Sequence, residues 1–145
     1  MKCLSIRQPW TWLIVRPDLT GAARSQALEQ GIIKTVENRS RRFNYRGALL
    51  LHASQGITRV EYEDAQDALR WGEGMGIELP PLKELQRGGI VGICDLVGCT
   101  PPQERKEDAF WHVPGQFGLV LENIKPVEFV QCKGTLGLFD VPWPQ

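Results

Sequence analysis

Lys34, Glu37 and Arg39 place an amine, a carboxylate and a guanidinium within six residues. A carboxylate beside a lysine in a positive field is a seed for acid–base chemistry. A desolvated Lys34 acts as base or nucleophile; a charged one holds Glu37 ionised and offers a donor to a phosphate or carbonyl. The plainer alternative is a Lys–Glu or Glu–Arg ion pair that orders a turn. For catalysis the balance lies with the ion pair. For ligand contact it lies with function, because a cationic cluster follows directly.

That cluster is Arg39, Arg41, Arg42 and Arg46, four guanidinium groups in eight positions with Phe43 and Tyr45 among them. Arginines beside aromatics meet phosphate and stack on bases. The whole chain holds seventeen basic and seventeen acidic side chains. Residues 34–46 hold five of the first kind and one of the second, which leaves twelve and sixteen elsewhere. Three phosphate contacts there imply a salt slope of roughly −2 on single-stranded nucleic acid. The competing role is a solvated loop that offsets an acidic helix after Thr58.

Arg7 and Gln8 fall where a strand gives way to a helix, and free N–H groups at a helix start suit an anion or a base edge. Asn38, between Glu37 and Arg39, joins the same expected cleft. Trp10 and Trp12 lie in an apolar run to Val15 and read as core. His52 ends a buried-looking strand, where it is either a general base or a core histidine with one nitrogen satisfied. Trp111 and His112, near Pro114 and Gly115, fit a loop over a cleft. Asp95, inside an apolar run, either pairs with Lys34 or faces solvent.

The elements must position these groups. In a regular strand Lys34 and Glu37 would point to opposite faces, since side chains alternate with period two. They converge only if Lys34 belongs to the turn leaving Gly31 and the strand begins just after it. The pattern predicts a strand over 3–6, a helix opening at Gln8-Pro9-Trp10 with Pro9 near its first position, and a helix over 22–30 stopped by Gly31. Lys34 to Asn38 is strand-like, and Ala48 to Ala53 is an apolar run short enough for a buried strand. Thr58 with Glu61 forms a capping box, opening a helix to about Trp71 with an acidic outer face. Residues 72–88 read as a long loop with one helical turn. Four strands follow, over 89–99, 117–122, 126–132 and 136–139, with turn signals at Asn123, Lys125 and Gly134.

At 145 residues, with no repeat or linker, residues 1–145 read as a single domain. A neutral net charge argues against coating nucleic acid through the overall field, and leaves a local patch open. Arg7 and Pro9 interrupt any apolar leader segment, and no uncharged apolar run nears membrane-spanning length, so a cytoplasmic protein with no membrane partner is expected. Cys3, Cys94, Cys99 and Cys132 are scattered without a C-x-x-C pair, so reduced thiols, no metal and no cofactor are expected.

Leu4-Ser5-Ile6-Arg7-Gln8-Pro9-Trp10, Lys34-x-x-Glu37-x-Arg39, and Tyr45-Arg46-Gly47 leading into Leu50-Leu51-His52-Ala53 resemble the ASCH domain family. Gly89-Ile90-Val91-Gly92, Gly118-Leu119-Val120-Leu121-Glu122-Asn123 and Lys133-Gly134-x-Leu136-Gly137-Leu138 are similar to its C-terminal half. The resemblance covers nearly the whole chain. It implies a PUA-like β-barrel with inserted helices, a cleft holding a Gly-x-Lys-x-x-Glu-x-Arg motif, and RNA binding. It also implies kinship with an enzymatic branch that deacetylates N4-acetylcytidine through a lysine, a threonine three residues later and a distant glutamate. Two departures stand out: Gly31 lies one residue further from Lys34 than the motif asks, and Glu37 stands where that branch has threonine.

The expectation is therefore a mixed α+β, PUA-like barrel that binds RNA, or single-stranded nucleic acid, in a cleft that takes a base or modified nucleoside. Arg7, Gln8, Lys34, Glu37, Asn38 and Arg39 line it, while Arg41, Arg42, Tyr45 and Arg46 engage the backbone. The rivals are a hydrolase working through Lys34 and Glu37, either an N4-acetylcytidine amidohydrolase or a ribonuclease, and an adaptor docking a protein partner.

Overall fold

The computed structural model describes residues 1–71, 76–104 and 110–144. It is a mixed α+β structure whose six-stranded sheet curls into a half-barrel. The strands are β1 (Lys2–Ile6), β2 (Val36–Arg39), β3 (Gly47–Ala53), β4 (Gly89–Thr100), β5 (Phe117–Gln131) and β6 (Leu138–Asp140), in the order β2-β5-β4-β3-β1-β6. The helices are α1 (Trp10–Val15), α2 (Gly21–Gln30) and α3 (Arg59–Trp71). No helix among the described residues is long and apolar enough to cross a membrane.

β1 and β3 pair in parallel, so the chain must cross over between them, and α1, α2 and β2 make that crossing. Leu4, Ile6, Leu49, Leu51, Leu96, Leu119 and Leu121 turn inward with Ile14, Val15 and Ile33 to form the main core. Four strands, β5, β4, β3 and β1, have a neighbour on each side, which suits the near-continuous apolar runs of β3 and β4. Burial pushes the thiols of Cys3 and Cys94 up to about 12, and all four cysteines are free.

α2 stops as its sequence demands. Gly31 takes φ 73 at the C-cap, and its N–H returns to Ala27 and Leu28. α3 opens on the reciprocal capping box, with the Thr58 N–H on Glu61 Oε1 at 3.2 Å and the Glu61 N–H on Thr58 Oγ1 at 3.1 Å. Tyr62, Ala65 and Leu69 bury one stripe of α3 against Leu13, Leu79, Leu85 and Trp111, while Glu63, Asp64 and Asp67 face water. The helical turn in the 72–88 loop is Leu82–Glu84; residues 72–75 of that loop lie outside the described residues.

Two features differ from the sequence expectation. The sheet is open: β2 and β6 are edge strands and do not pair with each other. The two strands expected over 117–122 and 126–132 are one, β5, because the ladder to β4 runs straight through the supposed turn. Asn123 absorbs it with φ 53 in a bulge, where β5 advances from Glu122 to Lys125 while β4 advances only from Asp95 to Ile93. Pro9, expected near the first helical position, stands next to it as the N-cap of α1.

Candidate functional site

β2 begins only at Val36, so Lys34 lies in the coil before it, with its N–H on the Leu13 carbonyl at 2.9 Å. Freed from strand alternation, its side chain turns to the same side as that of Glu37. Lys34 Nζ donates to Glu37 Oε1 at 3.1 Å and to the Val36 carbonyl, and lies 6.0 Å from the centre of the Trp10 ring. Arg39 approaches the other carboxylate oxygen, Oε2, with Nε at 3.1 Å and Nη2 at 2.9 Å. Lys34 and Glu37 are 3% and 7% exposed, so the pair is buried; a carboxylate there is held by two cations.

Arg39 Nη2 also donates to the Ser5 carbonyl at 2.9 Å. β2 and β1 are four places apart in the sheet, so this bond crosses the open mouth of the half-barrel. Beneath it is a cavity of about 1320 Å³. Its walls come from β1 (Ser5, Ile6), β2 (Glu37, Asn38, Arg39), β3 (His52), α3 (Ala68, Leu69), the segment Phe110 to Gln116, and the segment 131–137. Trp10, Phe110 and Trp111 give it aromatic surface.

Lys34, Glu37, Asn38, Arg39 and Arg7 thus line one cavity with His52 and Trp111, whereas Gln8, Arg41, Arg42, Tyr45 and Arg46 do not line it. Gln8 is 3% exposed and engaged at both ends of its amide: its Nε2 donates to the Gln86 carbonyl at 2.7 Å and its Oε1 accepts the Trp12 N–H at 2.9 Å. The free helix-start donor expected there is therefore taken by Gln8 itself. Arg41, Arg42 and Arg46 are exposed, with Arg42 stacked 5.3 Å over Phe117 and Arg46 donating to the Phe43 and Tyr45 carbonyls. Tyr45 spends its hydroxyl on the Ala48 carbonyl at 2.6 Å. Asp95 accepts from Asn123 Nδ2 at 2.8 Å on an exposed surface, so it is no partner for Lys34.

Asn38 fastens the wall. Its Nδ2 donates to the Trp111 carbonyl and its Oδ1 accepts the Val113 N–H, both at 2.8 Å. Trp111 adds an indole N–H to the Gly31 carbonyl at 2.9 Å, so the Trp111-His112 segment is a tethered wall of the cavity. Arg7 makes a two-point ion pair with Glu61, Nε to Oε2 and Nη2 to Oε1, both at 2.7 Å. That pairing, chiefly through its hydrogen bonds and aided by Thr58, pulls the Glu61 carboxyl down to about 2.

Ser5 and Ser54, both cavity residues, were given no chemical role from the sequence. Ser5 is the register partner of His52 across the parallel β1–β3 ladder, and Ser54 follows two residues later on the same face. Only the period-two spacing His52-x-Ser54 was visible in the chain, and the pairing register supplies the rest. Arg16 was missed as well: held at φ 44, it joins Asp18, the Ile32 carbonyl and the Trp12 ring behind the site. Compared with protein families and with curated proteins, the chain matches none.

Proposed function

We propose that the chain is an ASCH-type domain of PUA-like architecture that binds RNA, or single-stranded nucleic acid more generally, with a splayed base or modified nucleoside in its cleft. The supporting observation is the single cavity in which the Lys34–Glu37–Arg39 ion triad meets the rings of Trp10, Phe110 and Trp111. Small-molecule sites occupy roughly 300–1,000 Å³, so about 1320 Å³ suits a base together with its sugar and flanking phosphates. Aromatic walls supply stacking at about 1–3 kcal/mol per base. Donors and one fixed carboxylate in the wall suit a base edge. Arg41 and Arg42, exposed on the residues following β2, suit the phosphate backbone, where contacts position without specifying sequence.

Titration of a short single-stranded RNA against wild type and an Arg41→Ala/Arg42→Ala variant tests this. The double variant is expected to bind more weakly and to flatten the salt slope by about 1.4, the effect of two phosphate contacts. Equal affinities, or binding indifferent to salt, sink the proposal.

The convergence of Lys34 and Glu37 favours a second reading, hydrolysis of an acylated cytidine. Against it, Lys34 Nζ is engaged as a donor to the Val36 carbonyl and to Glu37 Oε1, the pattern of an ion pair that orders the wall. On the binding reading, N4-acetylcytidine incubated with the protein stays intact by mass spectrometry. Deacetylation that disappears in Lys34→Ala would put the hydrolase in its place.

A further inference from the structure

The same cavity holds a second constellation that uses neither Lys34 nor Glu37. Ser5 Oγ lies 2.8 Å from His52 Nδ1 and 2.8 Å from Ser54 Oγ, and His52 Nε2 lies 2.6 Å from the Cys132 carbonyl. A carbonyl only accepts, so Nε2 carries the ring hydrogen. In the neutral imidazole Nδ1 is then the acceptor, and Ser5 must be its donor. With its own proton given to His52, Ser5 Oγ accepts from the Ser54 hydroxyl. The result is a hydroxyl, a base and a group that fixes the tautomer of the base, the arrangement that activates a serine.

Its surroundings agree. His52 is 2% exposed, while Ser5 is half-buried and lines the cavity, so the base sits behind the hydroxyl rather than in front of it. Gly134 closes the back of the ring: a Cβ there would lie 2.7 Å from His52 Cε1 and 3.0 Å from Ser5 Oγ. The Arg39 guanidinium reaches the Ser5 carbonyl at 2.9 Å, and its Nη1 makes no hydrogen bond among the described residues. It is a cation placed for charge developing beside Ser5.

We propose that Ser5 is a nucleophile activated by His52, and that the cavity accepts carboxylic esters as acyl donors. Ser5 Oγ attacks the ester carbonyl carbon as its proton passes to His52 Nδ1, and the carbonyl electron pair moves onto oxygen. When that pair returns, the carbon–oxygen bond to the alcohol breaks, and the alkoxide takes the proton back from Nδ1. Water then repeats the sequence on the acyl-serine, releasing the acid and restoring Ser5. An ester is the class indicated because an alkoxide leaves more readily than an amine. Trp10, Leu69, Phe110 and the fully exposed Leu136 line the cavity for the acyl chain.

A fluorophosphonate probe tests the nucleophile without knowledge of the natural ester. Peptide mass spectrometry of the labelled wild type should place the adduct on Ser5, and Ser5→Ala should lose it. His52→Gln should slow labelling at least about 10²-fold, the usual share of a general base. Gly134→Ala, which displaces the ring without removing it, should slow labelling too, and serves if His52→Gln does not fold. An unlabelled Ser5 in folded wild type overturns the proposal, as does a rate that neither variant changes. RNA titration of Ser5→Ala is a separate readout, so failure here leaves the binding proposal standing or falling by itself.

Discussion

Glu37 illustrates what a single carboxylate does in this wall. It compensates a lysine with almost no access to water and, through Arg39, helps draw the first strand toward the second. Glu37→Gln keeps the shape and removes the charge, leaving buried Lys34 without its counter-ion. Losing one partner of a buried pair costs about 3–5 kcal/mol, and urea unfolding should read a loss of that size. Lys34→Met/Glu37→Gln should recover part of it, since both charges then go together. The convergence of the two was legible from Gly31 and the period-two rule. Ser5, His52 and Ser54 were not, because nothing in one strand announces which residue of another lies beside it.

The elements carry their own lessons. The capping box at Thr58 was readable from two residues, and Thr58→Ala should cost about 1 kcal/mol in thermal or urea unfolding. Glu61 serves twice, capping α3 and gripping Arg7 beside the cavity. Its carboxyl falls from an ordinary 4.5 to about 2, so its contribution is complete above 4.5 and fades as the pH drops toward 2. Stability measured across that window should decline less steeply in Glu61→Gln than in wild type. Both side chains are more than a third exposed, so added salt should shrink the difference. β5 shows the opposite case. Asn123, Lys125 and Pro126 carry turn chemistry, yet pairing along β4 outweighs local preference, and a bulge accommodates the conflict.

At the scale of the molecule, the mixed α+β class and most strands were in the pattern of apolar runs, while the openness of the sheet was not. Closure depends on whether the last edge meets the first, a property of accumulated twist and stagger that short strands do not encode locally. The arginine cluster divides for a related reason: Arg39 is the last residue of β2 and points across the mouth, whereas Arg41, Arg42 and Arg46 lie past the strand.

That crossing from Arg39 to the Ser5 carbonyl has a mechanical meaning. A ladder of amides would weld the edge strand β2 to β1; instead a guanidinium, which also grips Glu37, latches one to the other. An anion that took this guanidinium from the Ser5 carbonyl would free β2 from β1, which would couple entry to the charge of whatever enters.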